Sequence, residues 1–125
     1  MIKHIVMWNV LGRSDGEKAG NIDRVRAAFG GLRGKIPGLI NLEVGIDTSR
    51  ADYACDVALY TEFDTQRSLD DYAAHPEHLR IRAELEGVRI RRHQVDYAAA
   101  DGSTGPGARR TGRTDDRLSS ATRAL

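Results

Sequence analysis

The sequence has few cysteines, few aromatic residues and no long apolar run. Its single cysteine, Cys55, excludes an intrachain disulfide and a zinc site built from several cysteines. No apolar stretch approaches the roughly 20 residues that a membrane-spanning helix needs. The first residues include a charge but no long apolar segment with a small-residue cleavage site. We therefore expect no signal peptide, no membrane partner and a cytoplasmic location.

The sequence also has no marked excess of positive or negative charge. The net charge is +1, and residues 1–100 contain 14 Lys and Arg against 15 Asp and Glu, whereas residues 101–125 contain 5 against 3. The first hundred residues thus have no positive excess with which to bind phosphate backbones, and we expect no nucleic-acid partner. A hydrophobic content of 40% and a charged content of 30% are typical of one soluble globular domain.

Apolar periodicity predicts four strands and two helical regions. The first strand, 2–10, is largely apolar on both faces, which indicates burial on both sides, with helices on one face and a second subunit as a candidate for the other. A capping-box spacing begins at Ser14, although the first helix is more secure from Asn21 to Leu32. The remaining predicted elements are strands at 39–47, 53–63 and 88–97 and a helical region from 65 to 87. This β-α-β-β-α-β order is the ferredoxin-like α+β arrangement.

Composition changes near residue 98. We predict a domain over residues 1–98 and a flexible tail, rich in Gly, Arg and Ser, over residues 99–125, because the tail has no apolar period. A tail that docks on a partner or caps an oligomer is the alternative.

The stretch from Asp71 to His78 combines two imidazoles, two carboxylates and a phenol. Pro76 suits the first position of a helix and disfavours a helical conformation at His75, which predicts a helix, a bend capped by His75 and a second helix. Near the bend, His78 could accept a proton at neutral pH, with Tyr72 as its hydrogen-bonding partner. The alternative is that both side chains only fix the bend against the sheet. We expect no metal site, because no HExxH pattern is present.

Six motifs in order resemble the stress-responsive A/B barrel (Dabb) family. They are Met1-Ile2-Lys3-His4-Ile5-Val6, Gly34-Lys35-Ile36-Pro37-Gly38, Leu42-Glu43-Val44-Gly45, Tyr60-x-Glu62-Phe63, Tyr72-x-x-His75-Pro76-x-His78 and Val95-Asp96-Tyr97. The resemblance covers residues 1–97. It implies a ferredoxin-like protomer that forms a dimeric α+β barrel as a homodimer or a higher oligomer, and chemistry without a cofactor. The family includes stress proteins and a polyketide cyclase, olivetolic acid cyclase.

The resemblance also implies roles for individual residues. The base of the cyclase corresponds to His78, its partner to Tyr72, and a further pocket histidine to His4. Another pocket histidine is replaced by Val57 and a pocket tyrosine by Phe29, which leaves an apolar cavity with fewer polar groups. The expected lining residues of the ligand pocket are His4, Val6, Trp8, Phe29, Val57, Leu59 and His75.

Three functional hypotheses remain open. The leading one is a homodimer with a small apolar ligand cavity in each protomer, for a small aromatic or polyketide-like molecule, without catalysis. The second is a cofactor-independent cyclase or lyase that uses His78 and Tyr72. The third is a cofactor-independent monooxygenase, which would need Trp8 in the cavity rather than in the core.

Two features bear on these hypotheses. The arginines at 89–92 could hold an anionic ligand, or could pair with Asp56 and Glu62 across a dimer. Cys55 is expected to be a buried apolar residue rather than a nucleophile.

Overall fold

A computed structural model describes residues 1–100. From residue 101 onward, the tail predicted at 99–125 lies outside the described residues. Four antiparallel strands form one sheet in the order β2-β3-β1-β4, with three helices on one face. The elements are β1 (Ile2–Val10), α1 (Asp15–Gly30), β2 (Leu39–Ile46), β3 (Val57–Phe63), α2 (Gln66–Ala73), α3 (Pro76–Glu84) and β4 (Arg89–Ala98). This is the predicted ferredoxin-like α+β fold.

Strand β1 lies in the middle of the sheet, and its alternation agrees with the prediction. His4, Val6, Trp8 and Val10 are buried against the helices, whereas the residues between them are only half-buried. The apolar stripe of α1 packs over this face through Val25 and Phe29. The core consists of Val6, Trp8, Val10, Val25, Phe29, Leu32, Ile36, Leu42, Val57, Leu59, Phe63, Leu69, Tyr72, Ile81, Leu85 and Val88.

Two predicted boundaries were wrong. Helix α1 begins at Asp15 rather than Asn21, because the Ser14 hydroxyl accepts a hydrogen bond from the Glu17 amide at 3.1 Å and caps the helix. Strand β3 begins at Val57 rather than Tyr53. The Asp56 carboxylate accepts a hydrogen bond from the Val10 amide at 2.8 Å, and Tyr53, in the turn, is 93% exposed.

Strand β4 does not follow the predicted simple alternation. Its register with β1 shifts between Met7 and Asn9, so that two residues of β4 lie opposite Trp8, and Arg91 adopts a positive φ of 53°. This is a β-bulge. Because Arg89 pairs with Val10 and Asp96 with His4, both of these β4 residues lie on the helix-facing side of the sheet.

The bend between α2 and α3 follows the prediction. Thr65 caps α2 and His75 caps α3, where the His75 ring accepts a hydrogen bond from the Glu77 amide at 3.1 Å. Helix α3 packs on the core through Ile81. Ile81 is fully buried, whereas Leu79 is 47% exposed.

In the part of the chain that the structure describes, no helix covers the other face of the sheet. Paired positions on this face include Ile5 with Val95 and Met7 with His93, and Val95 and Tyr97 remain 40% and 43% exposed. We call this surface, defined by Ile5, Met7, His93, Val95 and Tyr97, the open sheet face. Among residues 1–100, no helix has the length and apolar character needed to cross a membrane.

Candidate functional site

A cavity of about 530 Å³ lies between the sheet and the segment that runs from α3 into β4. Strand β1 contributes His4, Val6 and Trp8 to its wall, and α2 and α3 contribute Tyr72 and His78. The remaining lining residues are Phe29, Leu59, Leu79, Arg82, Ala83, Leu85, Glu86, Gly87, Arg89, Ile90, Arg91 and Arg92. Its volume falls within the roughly 300–1,000 Å³ typical of small-molecule sites.

Tyr72 is the buried phenol of the site. Its ring centroid lies 4.4 Å from that of His78, 5.3 Å from that of Phe63 and 6.3 Å from that of His4. Burial raises the pKa of Tyr72 to about 12, although the charges of Arg89 and Arg92 oppose the rise. The hydroxyl is therefore protonated at neutral pH and can donate a hydrogen bond.

His78 is a half-buried imidazole at the start of α3. Burial lowers its pKa below the ordinary value, and the hydrogen bond to the Ala73 carbonyl opposes this shift. Nδ1 lies 3.1 Å from that carbonyl oxygen, which can only accept. In the neutral ring Nδ1 therefore carries the hydrogen and Nε2 keeps its lone pair, the tautomer that can take a proton from a ligand.

His4 is held by a chain of polar side chains on β4. Its Nδ1 lies 2.5 Å from a carboxylate oxygen of Asp96, whose other oxygen accepts a hydrogen bond from Gln94 at 2.9 Å. Arg92 in turn donates to the Gln94 side-chain oxygen. Because the carboxylate can only accept when ionised, the contact places the hydrogen of a neutral His4 on Nδ1.

Arg89 brings a positive charge to the aromatic end of the cavity. Its guanidinium carbon lies 4.7 Å from the Trp8 ring centroid and 5.4 Å from that of Phe29, within the range of cation–π contacts. Burial, together with the charge of Arg92, lowers the pKa of Arg89. Within residues 1–100 its buried Nε has no hydrogen-bond partner.

Most residues predicted at the pocket meet at this cavity. His4, Val6, Trp8, Phe29 and Leu59 line it, together with the proposed acid–base pair of His78 and Tyr72. The structure places two predicted lining residues elsewhere. Val57 is buried and borders a separate hollow beside Met7, Cys55 and His93, and the His75 ring caps α3.

Sequence reasoning did not identify Asp96 as a neighbour of His4. The two residues are 92 positions apart, and only the antiparallel register of β1 with β4 places them opposite each other. The fold order together with residue counting along both strands could have given this pairing. The bulge, which brings Arg89 to the same face, left no clear signal in the sequence.

A metal site, a reactive cysteine and ion pairs between the arginines of β4 and acidic residues have less support in the structure. Among the described residues, no group of three or more His, Cys, Asp or Glu side chains is arranged to hold a metal ion. Burial raises the pKa of Cys55, which disfavours the reactive thiolate. Asp56 pairs with Lys18 at 3.1 Å and Glu62 accepts from the Tyr60 hydroxyl, so each has a partner other than the arginines of β4.

Comparison with solved structures identifies proteins of the same fold. A dimeric protein of unknown function with a ferredoxin-like fold from Bacteroides fragilis is 30% identical, with a TM-score of 0.70 over 78% of this chain and 95% of its own. Hydroxynitrile lyase from Passiflora edulis is 19% identical, with a TM-score of 0.66 over 80% of this chain and 94% of the lyase. An antibiotic biosynthesis monooxygenase is 14% identical, with a TM-score of 0.61 over 80% of this chain and 99% of that chain.

Comparison with curated protein sequences gave no match. The family model of the stress responsive A/B barrel domain matches residues 2–99, which includes every residue of the cavity described above. The chain therefore belongs to the stress responsive A/B barrel domain family.

Proposed function

We propose that this chain is a homodimeric small-molecule-binding protein, with one ligand cavity between the helices and the sheet of each protomer. The single observation that carries the proposal is the cavity of about 530 Å³ lined by His4, Tyr72 and His78. The wall is less apolar than the resemblance implied, because arginines and Glu86 line it beside apolar residues such as Leu79. Polar groups beside apolar surface can orient a bound small molecule. A merely structural role for His78 and Tyr72 would not require this much space beside their rings.

Two observations support the homodimer. The similar Bacteroides fragilis protein is dimeric, and the open sheet face of this chain leaves apolar side chains such as Val95 and Tyr97 exposed. Covering this face with a second copy would bury them and would give the barrel that the family name describes.

Ring-proton NMR of the four histidines tests the binding proposal. The probes are aromatic and aliphatic acids and their neutral analogues. We expect at least one of them to bind and to shift the ring-proton signals of His78 and His4. His93 lies on the open sheet face and its signal is the internal control. The His78→Ala variant should lose the response, whereas the matched His93→Ala variant should keep it.

Binding would be contradicted if no compound moved the His78 or His4 signals, or if His93 moved in parallel with them. Parallel movement would indicate nonspecific association with the surface. A titration of the same signals should also give His78 a pKa below that of a free imidazole, as its burial requires.

Cofactor-independent acid–base catalysis is the second candidate function. It is favoured by the neutral His78 with a free Nε2 lone pair beside a protonated Tyr72. In cyclisation, His78 would remove a proton from an activated carbon, and Tyr72 would donate a hydrogen bond to the resulting enolate oxygen. In cleavage of a cyanohydrin, His78 would remove the hydroxyl proton as the carbon–carbon bond breaks, and the protonated ring would return this proton to the departing cyanide. Cyclisation and carbon–carbon cleavage both use such steps.

The cleavage reaction can be assayed with mandelonitrile, because the fold relative from Passiflora edulis is a hydroxynitrile lyase. We expect benzaldehyde release in the wild type, with a loss of about 100-fold or more in His78→Gln, since general bases contribute at least that much. An unchanged rate in this variant would remove His78 from the reaction. A cofactor-independent monooxygenase is the weaker proposal, supported only by the position of Trp8 in the cavity wall.

A further inference from the structure

The strongest unexplained feature of the cavity is the Arg89 side chain. Its Nε is shielded from solvent and has no acceptor within residues 1–100, although buried polar groups almost always have a partner. The residue lines the cavity, and its cation–π contacts with Trp8 and Phe29 hold the guanidinium at this position without using its N–H groups as donors to an oxygen. The guanidinium is therefore available to a ligand that enters the cavity.

The charges around Arg89 favour an anion. Arg82, Arg91 and Arg92 also line the cavity, against one lining carboxylate, Glu86. The nearby Asp96 is already engaged by His4 and Gln94. Four guanidinium groups around one opening give a local positive potential although the chain as a whole is almost neutral.

We infer that the cavity takes an apolar molecule with a single carboxylate, whose oxygens are bound by Arg89, while its apolar body lies against Leu79. This inference rests on the proposed binding function and specifies its ligand class. The two outer nitrogens of a guanidinium offer a parallel pair of Nη–H groups, which matches the two coplanar oxygens of a carboxylate. Leu79 is 47% exposed and Ala83 is also exposed, so these two lining residues offer apolar surface to a ligand and favour a mostly apolar body over a phosphorylated one.

The chain carries its own reporter for this site. Trp8 is its only tryptophan, it lines the cavity, and it touches the guanidinium of Arg89. Excitation at a wavelength absorbed only by tryptophan therefore reports from the cavity alone. The probes are 4-phenylbutyrate, its neutral amide 4-phenylbutanamide, and inorganic phosphate.

We expect 4-phenylbutyrate to change the Trp8 emission and to bind at least tenfold more tightly than the amide. The Arg89→Gln variant should weaken binding of the acid at least tenfold and leave binding of the amide unchanged. The matched control is Arg67→Gln, which removes one positive charge from a side chain that is 90% exposed on α2 and should leave both affinities unchanged. Arg89→Lys, which keeps the charge but not the paired donors, should give an intermediate affinity.

Several outcomes would overturn the inference. Equal affinity for acid and amide in the unmutated protein would do so without any variant, which matters if Arg89→Gln does not fold. Binding of phosphate as tight as that of 4-phenylbutyrate would assign the arginines to phosphate instead. If acid and amide bind equally, the carboxylate inference fails while cavity binding stands. If neither probe changes the emission and no compound shifts the His78 signal by NMR, the binding function fails with it.

Discussion

Tyr72 shows how the surroundings of one side chain set its chemistry. Rings of His78, Phe63 and His4 lie around it, so the charged phenolate would be poorly solvated in this position. Burial accordingly raises the pKa of Tyr72 to about 12. His78, half-buried in the same wall, has its pKa shifted in the opposite direction for the same reason. One low-polarity environment therefore keeps both groups neutral at pH 7.

The raised pKa of Tyr72 predicts an effect at alkaline pH. In the unfolded chain this phenol would ionise near pH 10, whereas in the folded protein it ionises near pH 12. Its contribution to the free energy of unfolding is thus fully present below pH 10 and is lost as pH rises through about 12. Absorbance at 295 nm should show one tyrosine that ionises near pH 12, and this phase should be missing in Tyr72→Phe.

The control for this titration is Tyr53→Phe, because Tyr53 is 93% exposed and takes no part in the cavity. That variant should keep the phase near pH 12. Survival of the phase in Tyr72→Phe, under conditions where circular dichroism shows an intact fold, would mean that Tyr72 is more accessible to water than its position indicates.

The individual site residues were predictable to different degrees. His78 and Tyr72 were found because residues close in sequence flank a proline that forces a bend. His4 was also identified, but its partner Asp96 was not, because a contact across 92 positions depends on strand register rather than on local pattern. The arginines at 89–92 were predicted as a group to hold an anionic ligand or to pair across a dimer, but simple alternation gave no reason to place Arg89 beside Trp8.

At the scale of secondary-structure elements, the tight connection before β2 depends on a glycine. Gly38 has a φ of +80°, and a Cβ at this position would lie 2.5 Å from the Cβ of Ser68 on α2. Its carbonyl also accepts a hydrogen bond from the Asp64 amide at 3.0 Å. Gly34 has a nearly identical φ of +78°, but nothing lies within 4 Å of a Cβ there.

Alanine substitutions at Gly34 and Gly38 allow the cost of backbone strain to be measured separately from the cost of steric overlap. Gly34→Ala should lower the free energy of unfolding by about 1 kcal/mol, the cost of a left-handed conformation for alanine. Gly38→Ala should lower it by roughly 2–4 kcal/mol, because overpacking against α2 is added to the same strain. Urea denaturation of the two variants and the wild type measures both values. Equal losses would show that α2 moves aside at little cost.

Most elements followed from periodicity, and the exceptions have physical causes. A period of two residues marked the strands, and a proline after a histidine marked the bend. The start of α1 was placed too late because Gly20 has a low helix propensity, whereas the Ser14 cap and the packing of Val25 and Phe29 outweigh it. The start of β3 was placed too early because Tyr53 and Cys55 continue the alternation of the strand although their backbone turns away.

At the scale of the whole molecule, the open sheet face predicts self-association. Val95 is 40% exposed in the protomer and lies opposite Ile5, so a charge there should cost little in a monomer and much in a dimer interface. Light scattering after size exclusion should give the wild type twice its 13.8 kDa chain mass, and Val95→Asp should reduce this toward one chain mass.

The matched control introduces the same charge on the opposite layer. Leu79 on α3 is 47% exposed, so Leu79→Asp should leave the mass of the assembly unchanged. A wild-type protein with the mass of one chain at micromolar concentration would refute the homodimer. A Val95→Asp variant that stays dimeric would place the interface on another surface.

The bulge at Arg91 has a consequence for how such a cavity can change during evolution. Along a regular strand, Arg89 and Asp96 would face opposite sides, because their positions differ by an odd number and successive side chains alternate between the two faces. The extra residue opposite Trp8 resets this phase, so that Arg89 lines the cavity while Asp96 contacts the lining residue His4 on the same side of the sheet. Deletion of one codon within the bulge would turn one of these two side chains to the open sheet face. A change in strand phase could therefore alter ligand preference and assembly together, without any side-chain substitution.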